Sequence, residues 1–190
     1  MNQNPAGNQM KFVTGNRNKL KEAQMILGVA LDQADVAIEE IQTCDVEEAV
    51  GHKVRAAFEK VRQPVMVEDS GLVFEAWNGL PGALVKWFEK TVGLEGMARM
   101  LDSFDSRKAV AQCFVAITDG KETFIGRGEV RGRIAASPRG SNGFGWDTLF
   151  IPQGDERTFA EMTLEEKNAI SHRRRAFEAV RGSGARFFQA

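Results

Sequence analysis

Val110-Ala111-Gln112-Cys113-Phe114-Val115-Ala116-Ile117-Thr118-Asp119-Gly120-Lys121-Glu122-Thr123-Phe124-Ile125-Gly126-Arg127-Gly128-Glu129-Val130-Arg131-Gly132-Arg133-Ile134 reads as two long strands on either side of a turn. Asp119-Gly120 between two apolar runs is a hairpin signal, because Gly accepts the positive φ of a tight connection. The spacing therefore predicts antiparallel neighbours over 110–118 and 123–134. Outward from the hairpin, further strands are predicted over 11–14, 35–39, 64–68 and 147–151. They alternate with amphipathic stretches at 18–27, 46–61, 83–92 and 94–101, and with a C-terminal helix that ends near Arg181 with Gly182 as its stop. Apolar runs alternating with helical stretches imply an α/β fold, and hairpin plus crossover connections imply a mixed sheet flanked by helices.

The length of 190 residues suits one domain with a real core. No repeat, low-complexity block or linker divides it, so a single domain, open to two lobes, is expected over 11–190. Residues 1–10 are polar and uncharged, with a Pro and a Gly, and are read as a loose tail lacking both halves of a secretory signal. With no apolar run long enough to span a bilayer, a soluble protein of the cytoplasm is expected. Cys44 and Cys113 are too few for a disulfide framework, and His52 and His172 give no zinc spacing. The 25 Lys and Arg nearly cancel the 26 Asp and Glu, which disfavours a large polyanion as partner. That total hides two local biases: seven acidic and no basic residues over 23–52, and six Lys or Arg against one Glu over 167–190.

Five segments carry chemistry. Thr14-Gly15-Asn16-Arg17-Asn18-Lys19 sits where a strand gives way to a helix, and Arg17, Lys19 and Lys21 crowd the positive end of that helix. An anion in the turn would relieve the crowding; an ordinary strand–turn–helix corner is the alternative. Neither G-x-x-x-x-G-K-[ST] nor G-x-G-x-x-G occurs. Glu68-Asp69-Ser70-Gly71 follows an apolar strand and is expected to form a turn with two carboxylates suited to a hard cation or a catalytic water. Strand alternation separates the two side chains unless the turn has begun, so one would face the site and the other support it.

Gly79-Leu80-Pro81-Gly82 allows a close backbone approach before the helix that carries Lys86, Trp87 and Phe88. Gly143-Phe144-Gly145-Trp146-Asp147 puts two rings and a carboxylate on a glycine-rich loop, which suits a planar ligand read along a polar edge. In Thr163-Leu164-Glu165-Glu166-Lys167-Asn168-Ala169-Ile170-Ser171-His172-Arg173 a capping box starts a helix. On one continuous helix Lys167 and His172 lie about 140° apart. Ser171 capping a second helix would instead let Lys167, His172 and Arg173 share a site.

In order and spacing these segments resemble the inosine triphosphate pyrophosphatase family, which hydrolyses non-standard purine nucleoside triphosphates to the monophosphate and pyrophosphate. The resemblance runs from Phe12 to about Val180, through T-G-N-x-x-K at 14–19, E-D-S-G at 68–71, G-L-P-G at 79–82, F-G-W-D at 144–147 and E-K-N-A-I-S-H-R at 166–173. Val85-Lys86-Trp87-Phe88 and Trp146 look like the eukaryotic members, whereas bacterial relatives usually have Tyr at the latter position.

The resemblance implies an elongated two-lobed α/β fold around a long mixed sheet, and a homodimer. It implies that Thr14, Gly15, Asn16 and Lys19 form a phosphate-binding turn and that Lys53, Ser70, Lys86 and Lys167 bind substrate. Phe144, Gly145, Trp146, Asp147, His172 and Arg173 would read the base. Asp69 matches a metal-binding carboxylate that is also the catalytic base. A second metal carboxylate matches best at Glu40, with Glu39 and Asp45 as alternatives, and the expected ion is Mg²⁺ or Mn²⁺. The expected partner is a small nucleoside triphosphate rather than nucleic acid or membrane. Competing readings are a septum-inhibitor-type pyrophosphatase acting on pyrimidine or modified nucleotides, a non-catalytic nucleotide sensor, and a nucleic-acid module built on Arg173, Arg174 and Arg175.

Overall fold

The computed structural model describes residues 10–188. Its strands are β1 (Lys11–Val13), β2 (Asp32–Ala34), β3 (Val65–Phe74), β4 (Pro81–Gly82), β5 (Lys108–Thr118), β6 (Thr123–Ile134) and β7 (Phe150–Pro152). Its helices are α1 (Arg17–Leu27), α2 (Val46–Val61), α3 (Val85–Thr91), α4 (Gly93–Met100), α5 (Leu164–Ile170) and α6 (His172–Ser183), and a short 3-10 turn spans Gly145–Thr148. As the Asp119-Gly120 turn requires, β5 and β6 pair antiparallel from Lys108↔Arg133 to Thr118↔Thr123. The sheet order is β2-β1-β3-β5-β6-β7, with β4 pairing β3 off that path. β2, β1 and β3 run parallel and the remaining pairs antiparallel, which is the expected mixed sheet.

Four local expectations are corrected. The strand expected at 35–39 lies instead at Asp32–Ala34, because its partner β1 offers only three residues before the chain turns into α1. No turn forms at Glu68-Asp69-Ser70-Gly71: β3 continues to Phe74, paired with β5 from Val65↔Thr118 to Phe74↔Ala109. The strand expected at 147–151 begins only at Phe150, because the Asp147 carboxylate accepts the Phe144 N–H at 2.9 Å and closes the Gly145–Thr148 turn. Gly182 lies inside α6, which ends where the Gly184 N–H donates to the Val180 carbonyl at 2.8 Å.

Three apolar clusters fill the molecule. Near the start of β3, Phe12, Met66, Val115 and Ile117 pack with α1 and α6 on one face, while Val65, Val67 and Phe114 pack with α2 on the other. Farther along β3 and β5, Leu72, Phe74 and Ala109 pack with α3, α4, Trp146, Phe150 and Phe159. The sheet thus carries a lobe at each end, and the segments between them form the site. Of the tail expected over 1–10, Met10 packs against the Phe12 cluster, and residues 1–9 lie outside the described residues.

Candidate active site

The length of β3 sorts its two carboxylates. Because the strand does not turn, Glu68 and Asp69 leave opposite faces of the sheet. Asp69 faces α2, where Lys53 lies 3.6 Å from it and donates to Glu40 at 2.9 Å. Burial lowers the pKa of the Lys53 ammonium, but Asp69 and Glu40 outweigh it and the net shift is upward. For Glu40, burial raises the pKa and the charges of Lys53, Lys86 and Lys19 bring it below the usual carboxylate range. Of the alternatives, Asp45 is committed as the N-cap of α2, accepting from the Glu47 N–H at 2.8 Å and the Glu48 N–H at 3.0 Å. The Glu40 loop is held by Gly82: a Cβ there would lie 2.0 Å from the Cys44 carbonyl, and φ is +56°. A cavity of about 220 Å³ opens between them, lined by Glu40, Thr43, Asp69, Lys86 and Trp87 among others.

Two carboxylates beside an open cavity fit a Mg²⁺-class ion, which keeps several waters and takes substrate phosphates as further ligands. A dedicated all-protein metal cage is absent among the described residues.

Glu68 enters the opposite face. Arg173 clamps it with Nε at 3.1 Å and Nη2 at 3.0 Å, and Lys19 stands 3.3 Å away. Burial pushes the Glu68 carboxyl up, but Arg173 and Lys19 hold it well below the usual range. Lys19 arrives from the turn after β1, whose shape comes from Asn16: its Oδ1 accepts from Asn18 at 2.9 Å and Lys19 at 3.2 Å, while Asn16 N–H donates to Thr14 Oγ1 at 3.1 Å. Thr14 and Asn16 therefore build the turn, and Lys19 projects charge from it.

The capping alternative at Ser171 is what the chain adopts. Ser171 is extended, and its Oγ accepts the Arg174 N–H at 3.1 Å, so α5 ends and α6 begins there. The break brings Lys167 and Arg173 to one buried carboxylate, Glu22 of α1, which is 2% exposed. Lys167 Nζ donates to Glu22 at 2.8 Å and to Asp147 at 2.6 Å, and Arg173 Nη1 donates to the other Glu22 oxygen. Burial raises the pKa of Asp147 against the pull of Lys167, and burial with the Arg173 and Lys167 charges depresses that of His172 far below its usual value. The neutral His172 ring lies 5.1 Å from Trp146 and 5.9 Å from Phe159, and both its nitrogens are buried without a hydrogen-bond partner. Phe144 lies over the cations, with Lys167 5.0 Å and Arg173 5.3 Å from its ring centre.

The structure thus joins Lys19, Glu68, Asp147, Lys167, His172 and Arg173 on one side of the sheet, and Glu40, Lys53 and Asp69 on the other, with Lys86 beside the second group. The Ser70 N–H donates to Asp69 Oδ1 at 2.9 Å. The residue that sequence reasoning missed is Glu22. Its one signal was a carboxylate on the α1 stripe between Lys19 and Ile26, a pattern that solvated helices share.

An open mixed α/β sheet with lysines and carboxylates in one compartment and rings over buried cations in the next defines a protein of the nucleotide-handling class. The chain belongs to the Ham1 family, whose model matches residues 10–182. It is 46% identical over 166 residues to an inosine triphosphate pyrophosphatase of Schizosaccharomyces pombe, covering 85% of this chain and 87% of that protein. It is 43% identical over 171 residues to a dITP/XTP pyrophosphatase of Methanopyrus kandleri, covering 88% and 91%. The solved structure of a HAM1 protein from Coxiella burnetii superposes with a TM-score of 0.78 at 30% identity, over 93% of this chain and 99% of that one.

Proposed function

We propose that this chain hydrolyses the non-standard purine nucleoside triphosphates ITP, dITP and XTP to the monophosphate and pyrophosphate. The observation that carries this reading is the division of the site: Lys53 and Lys86 stand beside Glu40 and Asp69, Lys19 stands against Glu68 on the other side of the sheet with its charge still felt at Glu40, and Phe144, Trp146 and His172 lie about the buried Lys167 and Arg173. The names of the relatives point the same way.

In this mechanism Lys19, Lys53 and Lys86 hold the triphosphate, with Thr14, Gly15 and Asn16 shaping the turn that presents Lys19. Glu40 and Asp69 would hold Mg²⁺ or Mn²⁺, which would supply positive charge beside the phosphates. Asp69 accepts a proton from water as its oxygen attacks the α-phosphorus, the bond to the bridging oxygen breaks, and pyrophosphate leaves against the lysines. Charge on the leaving group is met by fixed cations, so little reorganisation is needed during the step.

On the base side, Arg173 has spent one N–H on Glu22 and two on Glu68, which leaves two donors, and the neutral His172 ring adds one unpaired N–H donor, its other nitrogen being an acceptor. A six-oxo purine presents an acceptor to such donors, and adenine presents an amine. Leaving a buried donor unpaired costs about 1–3 kcal/mol, and a site built to bond a polar group can reject its mismatch by about 10⁴-fold. Release of pyrophosphate from ITP but not ATP tests the reading, and phosphate as the product would overturn it.

A nucleic-acid module is disfavoured because Arg173 is buried, Arg174 pairs with Glu178 at 2.7 Å and Arg175 donates to the Glu129 carbonyl at 2.7 Å. Among the described residues no helix is long and apolar enough to cross a membrane. A cytoplasmic location and a homodimer complete the proposal on the family resemblance, and light scattering checks the second.

A further inference from the structure

Phosphate is one partner assigned to Lys53, yet its ammonium stands with the two carboxylates suited to the metal. It donates to Glu40 Oε1 at 2.9 Å and lies 3.6 Å from Asp69 Oδ2. Glu40 and Asp69 both line the cavity of about 220 Å³, and the Lys53 side chain, 15% exposed, is a cation that they share. An ion of the Mg²⁺ class takes oxygens at about 2.0–2.1 Å, and so needs the carboxylate oxygens that face Lys53. The backbone beneath the lysine is fixed, because Val50 and Val54 of α2 are fully buried on either side of it. Only the flexible four-carbon stem has to move for the ammonium to leave.

Charge points the same way. Glu40 and Asp69 are balanced by Lys53 and by Lys86 of the same cavity, so these four groups offer a free divalent cation no net attraction. A triphosphate changes both sides of that balance: its oxygens give the ammonium groups new anionic partners and give the ion further ligands. Resting on the function proposed above, we infer that Lys53 is an internal counter-ion that keeps the metal seat closed until a triphosphate draws it away, so that metal and nucleotide bind as mutually dependent partners. Linkage makes the dependence reciprocal, since the factor that triphosphate adds to metal affinity is the factor that metal adds to triphosphate affinity. In this role Lys53 is a positioning residue for the metal, acting through Glu40 and Asp69.

The test titrates Mn²⁺ into the full-length chain and reads the free ion by electron paramagnetic resonance, with and without an ITP analogue whose bridge between the α- and β-phosphates is methylene and is not cleaved. Lys53→Met and Lys86→Met remove the same charge from the same region, but only the first clears the position between Glu40 and Asp69. Without nucleotide, Lys53→Met is expected to bind Mn²⁺ roughly tenfold more tightly than the unaltered chain, within the usual range of coupling between sites, and Lys86→Met to gain clearly less. The analogue should tighten Mn²⁺ binding to the unaltered chain by a similar factor, and to Lys53→Met by less. A lysine that only supports the fold would weaken the site on removal, so the sign of the change separates the two roles. Equal gains in the two variants, or no gain in Lys53→Met, overturn the inference. Mn²⁺ affinity of the unaltered chain that is indifferent to the analogue overturns it without any variant. Pyrophosphate release from ITP by the unaltered chain is read separately: its absence overturns the proposed function, whereas release with no tightening in Lys53→Met overturns only the role given to Lys53.

Discussion

Glu22 holds two cations at once, one on each carboxylate oxygen, in a position sealed from water. Removing its charge leaves Lys19, Lys167 and Arg173 with only Glu68 and Asp147 to balance them, an excess of one positive charge in this network. Breaking a buried ion network from one side typically costs about 3–5 kcal/mol, so urea denaturation of Glu22→Gln should show a loss of that order. Asp69→Asn acts differently, since Asp69 is partly exposed and outside that network. It should lower pyrophosphate release by about 10²–10⁴-fold, the usual contribution of a general base, while nucleotide binding by calorimetry persists. His172 governs acid stability. Its folded pKa lies below that of the unfolded chain, so its contribution is complete above pH about 6.5 and is lost as pH falls below that value, where only the unfolded imidazole takes up the proton. Glu68 adds a loss in the same direction below pH about 4.3. Tm should therefore drop between pH 7 and 5, with a shallower slope in His172→Gln. At this scale the motif residues were legible by type, because cations in a turn or rings on a glycine loop conflict with ordinary packing. Glu22 was not legible, because nothing local distinguishes a buried helical carboxylate from a solvated one.

At the scale of elements, the placement of α6 on β6 decides whether His172 and Arg173 reach the pocket. Gly128 makes that contact possible: a Cβ there would lie 1.9 Å from the His172 carbonyl and 2.4 Å from the Ala176 nitrogen, both backbone atoms. Gly128→Ala should cost about 3 kcal/mol, near the upper end for overpacking, and should reduce activity more than unfolding accounts for, as read by thermal melts beside initial rates. Ser171→Ala should cost about 1 kcal/mol through the lost cap, with a further activity loss if the break between α5 and α6 relaxes. The hairpin and α2 were readable from sequence because turn chemistry and periodicity are local. The continuation of β3 through Asp69 was not, since Ser70 and Gly71 look like turn residues and are held extended by β5, more than forty positions away. That tertiary pairing sends Glu68 and Asp69 to opposite faces of the sheet, and so decides the layout of the site.

For the whole molecule, a near-zero net charge conceals a balanced interior and an unevenly charged cleft. Glu22, Glu68 and Asp147 match Lys19, Lys167 and Arg173 on one side of the sheet. On the other, Lys53 stands between Glu40 and Asp69 with Lys86 nearby. Composition alone argued only against a large polyanion, because counting charges discards their positions; the mixed α/β class was readable, and the two compartments emerge only from the fold. The most direct test of the account is a steady-state panel of ITP, XTP, dITP, GTP and ATP with Mg²⁺ that identifies each product. The account predicts pyrophosphate and the monophosphate from ITP, dITP and XTP, with kcat/KM for ITP exceeding that for ATP by about 10⁴-fold. Equal kcat/KM for ITP and ATP, or inorganic phosphate as the first product, would contradict it.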